Sequence, residues 1–329
     1  MQLKWGVLLI AVQLILLSPS VLGSESIPVG FATREITPRE PLRLSGYGSR
    51  SSVMSGVRDR LFVRAMSLGE GKRLSVLVSV EGIAVLATQT ERLLDEVAQR
   101  HSLDRSRLVV CSTHSHAAPQ MAGGLTNLFR VPPNAEQELA LEEYRDFVHR
   151  QCVAVIDDSI ANRKPSTLSF GSGKADFAVH RRVIRDGIWT GFGVSPDGPT
   201  DRRVRVLVVR NGHDHSVRGA VFQYACHCTT LGPSFNEVSG DWAGLAAQEL
   251  ESLHEGSTFL PVIGCGADAN PEPRGDYENA REHGREIAEA VDSVIGLRTL
   301  PKVDAAPDAR FGYAGISAET PSREQLTGW

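Results

Sequence analysis

Five apolar, β-branched runs punctuate the chain: Leu74 to Val80, Leu108 to Cys111, Val204 to Val209, Ala220 to Ala225 and Phe259 to Gly264. Runs of this length predict buried strands. Between and after them, apolar residues recur at helical spacing. Thr88 to Arg100 places Leu93, Leu94 and Val97 on one face, and Gln137 to Ala161, Ala243 to Leu253 and Tyr277 to Ile295 carry similar stripes. Strands alternating with helices predict an α/β fold, an internal β-sheet flanked by helices. Gly171 to Pro199 is rich in Gly, Asp and Arg, breaks the alternation, and reads as a long surface excursion.

The two ends behave differently. Lys4 precedes an apolar run from Val7 to Leu17, and Ser18 to Gly23 closes on small residues. That order predicts a secretory signal over residues 1–23, cut after Gly23, with residues 24–329 as the folded part outside the cytoplasm. A retained anchor is the weaker alternative, because a bilayer span needs about 20 apolar residues. At the other end Thr320 reads as an N-cap and Pro321 as a first helical residue. A helix that opens so near the last residue leads to two expectations: a chain that stops before its fold is complete, or a frayed tail.

Composition narrows the function classes. A formal net charge of −4, with no clustered run of Lys or Arg, lacks the footprint of a nucleic-acid binder. The five cysteines are too sparse for a disulfide scaffold, and an odd number leaves a thiol unpaired. Cys226 and Cys228, two apart on an apparent strand, are poorly placed to bridge each other. Cys111 and Cys265 lie in apolar contexts and are expected to be buried. No Gly-x-Ser-x-Gly, Walker loop or Cys-x-x-Cys occurs, which removes the usual serine hydrolase, nucleotide and redox readings.

Candidate chemistry sits where three predicted strands run into polar loops. "LVVCSTHSH" delivers His114 and His116, "AVFQYACHCTT" delivers His227, and "LPVIGCGADANP" delivers Asp268 and Asn270. In open α/β sheets ligands gather at the carboxyl ends of strands, so a metal site is sought there. On spacing alone, His114 and His116 suit two ligands, a ligand beside a proton-transfer group, or ordinary loop polarity. His227 alone reads equally as a buried, hydrogen-bonded strand-end residue. Asp268 fits a tight turn as well as a site, and Asp241 in "SGDWAGL" reads as a helix cap. His213 and His215 share the His-x-His spacing but lie on a Gly/Asp-rich turn and read as a solvated hairpin.

Taken together, "VGFATREITPREPLRLSGYGSR", "GVRDRLFVRAMSL", "STHSHAAP", "YACHCTTLGP", "SGDWAGLAAQELE" and "GADANP" resemble the neutral/alkaline ceramidase family, across its N-terminal hydrolase domain. The resemblance implies a zinc-dependent amidohydrolase acting on an N-acylated, ceramide-like lipid. It implies His114 and His227 as zinc ligands and His116 as an active-site partner to substrate or water. Asp268 would orient a histidine or the water. Arg182, in "VHRRV", matches an Arg-containing stretch near the family's pocket. Asn270 stands where the family's Gly-Asp-x-Ser-Pro turn carries its serine. The family completes its zinc site with a Glu and a Tyr from a later part of the domain, beyond the matching segments. Two alternatives stand beside this reading: a non-catalytic relative binding a lipid or an envelope glycan, and a zinc hydrolase acting on another ester or amide. Peripheral contact with a membrane would suit a lipid substrate, although no basic amphipathic helix supports it.

Overall fold

The computed structural model describes residues 26–124, 128–304, 308–317, 320 and 322–324. The signal segment 1–23 lies outside them. Of the helix expected from Thr320, only Arg323 and Glu324 are described as helical. The strands are β1 (Ile27–Glu35), β2 (Gly56–Val57), β3 (Phe62–Leu68), β4 (Ser75–Val80), β5 (Leu108–Ser112), β6 (Lys164–Lys174) and β7 (Ala178–Arg185). They continue with β8 (Ile188–Ser195), β9 (Arg203–Asn211), β10 (Val217–Tyr224), β11 (Glu237–Val238), β12 (Thr258–Ile263) and β13 (Ala269–Pro271). The α-helices are α1 (Ala87–His101), α2 (Ala135–Ala161), α3 (Asp241–Leu253) and α4 (Tyr277–Ile295). No helix among the described residues is long and apolar enough to cross a membrane.

Eight strands form one mixed sheet in the order β12-β10-β9-β6-β1-β3-β4-β5. Its middle is antiparallel, and its ends are the parallel pairs β4–β5 and β10–β12. The sheet bends so that its two ends approach. The Ser79 hydroxyl on β4 donates to the Pro261 carbonyl on β12 at 2.5 Å. Val29, Phe31, Met66, Leu168, Val209 and Leu260 join in one buried cluster. Helices α1 and α2 cover β3, β4 and β5 through Leu93, Val97, Val153 and Ile156. Helices α3 and α4 cover β9, β10 and β12 through Trp242, Ala246, Ile287 and Val291. The α/β expectation therefore holds, with helices on the faces of a large sheet.

Several local expectations change. Gly171 to Pro199 is not a loose excursion: it completes β6 and forms the hairpin β7–β8, because Asp186 and Gly187 both take positive φ and close a tight turn. Strands β1 and β3 escaped periodicity because Pro28, Arg34 and Arg64 interrupt their apolar runs. Cys265 is exposed rather than buried, since β12 ends at Ile263 and the chain turns outward. Cys111 is half-buried, and Cys226 and Cys228 are buried with free thiols. Asp241 is the first residue of α3 rather than its cap. Its carboxylate accepts from the backbone N–H of Leu231 at 3.1 Å and of Trp242 at 2.6 Å, spanning two segments.

One polar cluster is enclosed by the fold. Arg64 on β3 and Glu81 after β4 are both fully buried and hydrogen-bonded to each other, and Glu251 on α3 takes the Arg64 Nε at 2.8 Å. Two carboxylates against one guanidinium hold the arginine in its charged form. A charge left alone in such a place is costly, so Glu81→Ala is expected to lower the unfolding free energy by about 3–5 kcal/mol. Urea denaturation reads this directly, and a loss under about 1 kcal/mol would mean that Glu251 suffices alone.

Candidate metal centre

Each histidine of interest lies a few residues beyond the carboxyl end of a strand. Beyond β5 the chain is laced to its surroundings: Thr113 N–H donates to Val80, Ser115 N–H to Gly82, and His116 N–H to Cys228. Beyond β10, His227 N–H donates to Ala269 at 3.1 Å, and its carbonyl accepts from the buried Trp242 indole at 2.9 Å. Backbone hydrogen bonds, rather than side-chain packing, thus set where each imidazole points. His114 sits at φ 59°, a left-handed conformation costly outside glycine, and the surrounding ladder holds it there.

The three rings converge. The centroid separations are 5.0 Å for His114 and His116, 4.8 Å for His114 and His227, and 5.9 Å for His116 and His227. One nitrogen from each lies within 4.8 Å of the others. The hydrogen bonds settle which nitrogens are free. His114 Nδ1 faces the Ile83 carbonyl at 2.7 Å and His227 Nδ1 faces the Gly266 carbonyl at 2.6 Å. A carbonyl only accepts, so both Nδ1 atoms carry the proton and both Nε2 lone pairs are left open. Both His116 ring nitrogens are buried without a partner. Imidazoles pinned at one nitrogen by a carbonyl and bare at the other are what a metal ion requires, and unsatisfied buried nitrogens beside them lack another occupant. The residues present fit a cation.

Electrostatics point the same way. Burial lowers the pKa of all three histidines; neighbouring cationic groups lower it further, although the Ile83 and Gly266 hydrogen bonds partly oppose this at His114 and His227. His116 falls to about 2 and His227 to about 4. The rings are neutral at neutral pH, with lone pairs available rather than protonated.

The remaining expected residues are placed as follows. Asn270 is buried and accepts at Oδ1 from Thr229 and from Arg181, each at 3.2 Å. Asp268 is half-exposed, and its carboxylate stands 4.0 Å from His180, a ring outside the trio. Arg182 is exposed on β7, whereas its neighbour Arg181 donates to the Ala267 carbonyl at 3.0 Å and acts electrostatically on all three imidazoles. His213 and His215 occupy the exposed β9–β10 turn.

Tyr47 and Arg50 were not singled out from sequence. The Tyr47 ring meets His116 edge-on at 4.9 Å, and its hydroxyl donates to the Leu231 carbonyl at 2.9 Å. The Arg50 guanidinium lies over Tyr47 and donates to the carbonyls of His116, of Ser45 at 2.6 Å and of Phe235 at 2.8 Å. Gly46, at φ 87°, lies so close that a Cβ there would come within 2.2 Å of His116 Nδ1. The signal for these residues was the Gly-Tyr-Gly spacing in "LSGYGSR", which demands close backbone approach.

Comparisons with known proteins place the fold. Residues 28–270 match the family model described as neutral/alkaline non-lysosomal ceramidase, N-terminal. A solved neutral ceramidase from Pseudomonas aeruginosa is similar at 19% identity and a TM-score of 0.66, over 82% of this chain and 44% of that one. A solved ceramidase complexed with C2 is similar at 18% identity and a TM-score of 0.66, over 82% of this chain and 43% of that one. At these identities the likeness concerns the fold, and this chain spans less than half the length of either solved protein. No curated protein matches.

Two outcomes follow from the geometry. With the metal stripped, the unfolded chain binds more protons than the folded one wherever the pH lies between the folded histidine pKa values and about 6.5. Stability contributed by the neutral trio is therefore complete above about pH 6.5 and is lost progressively below it, down to about 4 for His227 and about 2 for His116. Urea midpoints in chelator at pH 7 and pH 4.5 should differ less in His116→Gln than in wild type; an equal loss would remove His116 as a source. Gly46→Ala should push the His116 ring against its two neighbours and weaken metal affinity by about tenfold or more, read by competition with a chelator.

Proposed function

The chain belongs to the neutral/alkaline non-lysosomal ceramidase family, and from that premise we propose that it is a zinc-dependent amidohydrolase acting on an N-acylated, ceramide-like lipid. The observation that carries the reading is the convergence of three neutral imidazoles with open nitrogens at adjoining strand ends. His114 and His227 would hold the ion, each with its Nε2 left open. When bound, zinc supplies Lewis acidity, polarising a carbonyl and making water acidic enough to be a nucleophile near neutral pH. His116 stands beside them and, kept neutral by burial, hydrogen-bonds water or the amide instead of storing a proton at rest. Asn270, fixed by Thr229 and Arg181, offers an amide where a hydroxyl would otherwise contact substrate. The Arg181 guanidinium keeps the approach to the trio electropositive, which favours charge developing on a carbonyl oxygen. The N-terminal pattern over residues 1–23 supports an activity outside the cytoplasm.

A second reading is binding of metal and lipid without turnover. It is favoured by the ligand count: with His116 kept for water or substrate, only His114 and His227 are left for the ion and no carboxylate joins them among the described residues, while catalytic zinc usually has three protein ligands with a fourth position for water. Elemental analysis of the purified chain, with hydrolysis of a fluorescent N-acyl sphingosine, separates the cases. About one zinc per chain, lost in His114→Ala and His227→Ala with the fold retained, together with amide turnover, is expected. Zinc without turnover leaves the second reading, and absence of zinc from wild type overturns both.

A further inference from the structure

The β7–β8 hairpin carries a surface that the metal centre does not use. Ile184, Ile188, Trp189, Phe192 and Val194 are all exposed, from 52% to 68% of their area. Large apolar side chains in one exposed group mark an interaction surface. The register gathers three of them: Ile184 pairs with Trp189, Arg182 pairs with Phe192, and the Trp189 and Phe192 rings meet edge-on at 5.6 Å, while Ile188 pairs with Arg185 at the turn. Cross-strand partners share a face of the hairpin.

The charges on this hairpin are one-sided. Arg181, Arg182 and Arg185 oppose a single acid, Asp186, on a chain whose formal net charge is −4. Among the described residues, Arg182 and Arg185 are exposed and pair with no carboxylate, and the Arg181 guanidinium lies 4.6 Å from the Phe192 ring centre. Trp and Phe flanked by arginines whose stems run along apolar surface are the combination that settles at a lipid–water boundary, with the cations on anionic headgroups. The hairpin's position also matters. β7 pairs with β13 through Val179 and Asn270, and Arg181 N–H donates to the Asp268 carbonyl. The same turn supplies the Gly266 carbonyl that orients His227.

We propose that the β7–β8 hairpin docks on an anionic phospholipid surface, seating Trp189, Phe192 and Ile188 in the headgroup region and Arg182 and Arg185 on the phosphates. The inference deepens the lipid-amide reading and rests on it for its purpose, since a surface-bound chain presents the histidine centre to substrate held in the bilayer. Binding itself requires neither metal nor turnover.

The test uses the full, metal-stripped chain with vesicles of phosphatidylcholine alone or mixed with phosphatidylglycerol. Brominated lipid should quench Trp189 fluorescence in the mixed vesicles. Trp189→Phe should remove that quenching while co-sedimentation persists, which separates the hairpin from the apolar N-terminal run. Arg182→Gln/Arg185→Gln should weaken partitioning on the order of tenfold or more at low salt. Ile188→Ser/Phe192→Ser should lose at least about tenfold, with an unchanged melting temperature because both side chains are exposed. Equal quenching in wild type and Trp189→Phe, or wild-type partitioning in either double variant, overturns the proposal. So does a wild-type chain that is dimeric without lipid and becomes monomeric in Ile188→Ser/Phe192→Ser, because the face would then cover a second copy. Hairpin quenching without amide hydrolysis defeats the proposed activity alone. Hydrolysis without hairpin quenching defeats the docking alone.

Discussion

The hydrogen bond from the His116 amide to the Cys228 carbonyl, 3.2 Å long, ties together two segments that are far apart in sequence and lie beyond different ends of the bent sheet. Without it, the loop after β5 and the loop after β10 have no reason to share a site. The sheet brings these ends near each other by folding over its inner cluster, but packing of aliphatic side chains alone leaves angstrom-scale freedom. Backbone hydrogen bonds of fixed length remove that freedom, and Ser239 N–H donating to the Ala117 carbonyl at 2.9 Å adds a third segment to the same knot. The imidazoles inherit their positions from this knot, which is why a left-handed His114 is tolerated.

Neutrality follows from the same construction. A carbonyl against each Nδ1 of His114 and His227 fixes the tautomer, and burial disfavours the charged ring. Arg50 adds a cation that pairs with no acid among the described residues: its hydrogen bonds go to backbone carbonyls, so its charge remains felt by His116. Three neutral rings beside guanidinium groups form a centre prepared for coordination rather than for proton storage.

Much of this was legible in the sequence, and the limits have physical causes. The apolar runs of β4, β5, β9, β10 and β12 and the stripes of α1 to α4 gave the α/β class because burial on these elements is periodic. His114, His116 and His227 were legible because each follows a strong strand signal directly. Arg50, Tyr47 and Arg181 were not, since their roles depend on contacts across long sequence separations: Tyr47 reaches Leu231, and Arg181 reaches Asn270. The hairpin was misread for a related reason. Its exposed Ile, Trp and Phe resemble no buried strand, and its Gly and Asp content suits a loop as well as a tight turn.

The charge balance of the centre constrains what completes it. A divalent ion held by neutral imidazoles keeps its full charge, and Arg50 and Arg181 raise the potential at the same point. Such an arrangement favours an anionic donor from outside the three-ring set. The buried acid near Tyr47, Asp241, is already committed to the N–H groups of Leu231 and Trp242, and Asp268 lies toward His180. The electropositive surroundings therefore suit a negatively charged oxygen beside the rings. The same field would stabilise negative charge building on a carbonyl oxygen in the proposed acyl transfer, so one feature of the fold would serve both a bound cation and that chemistry.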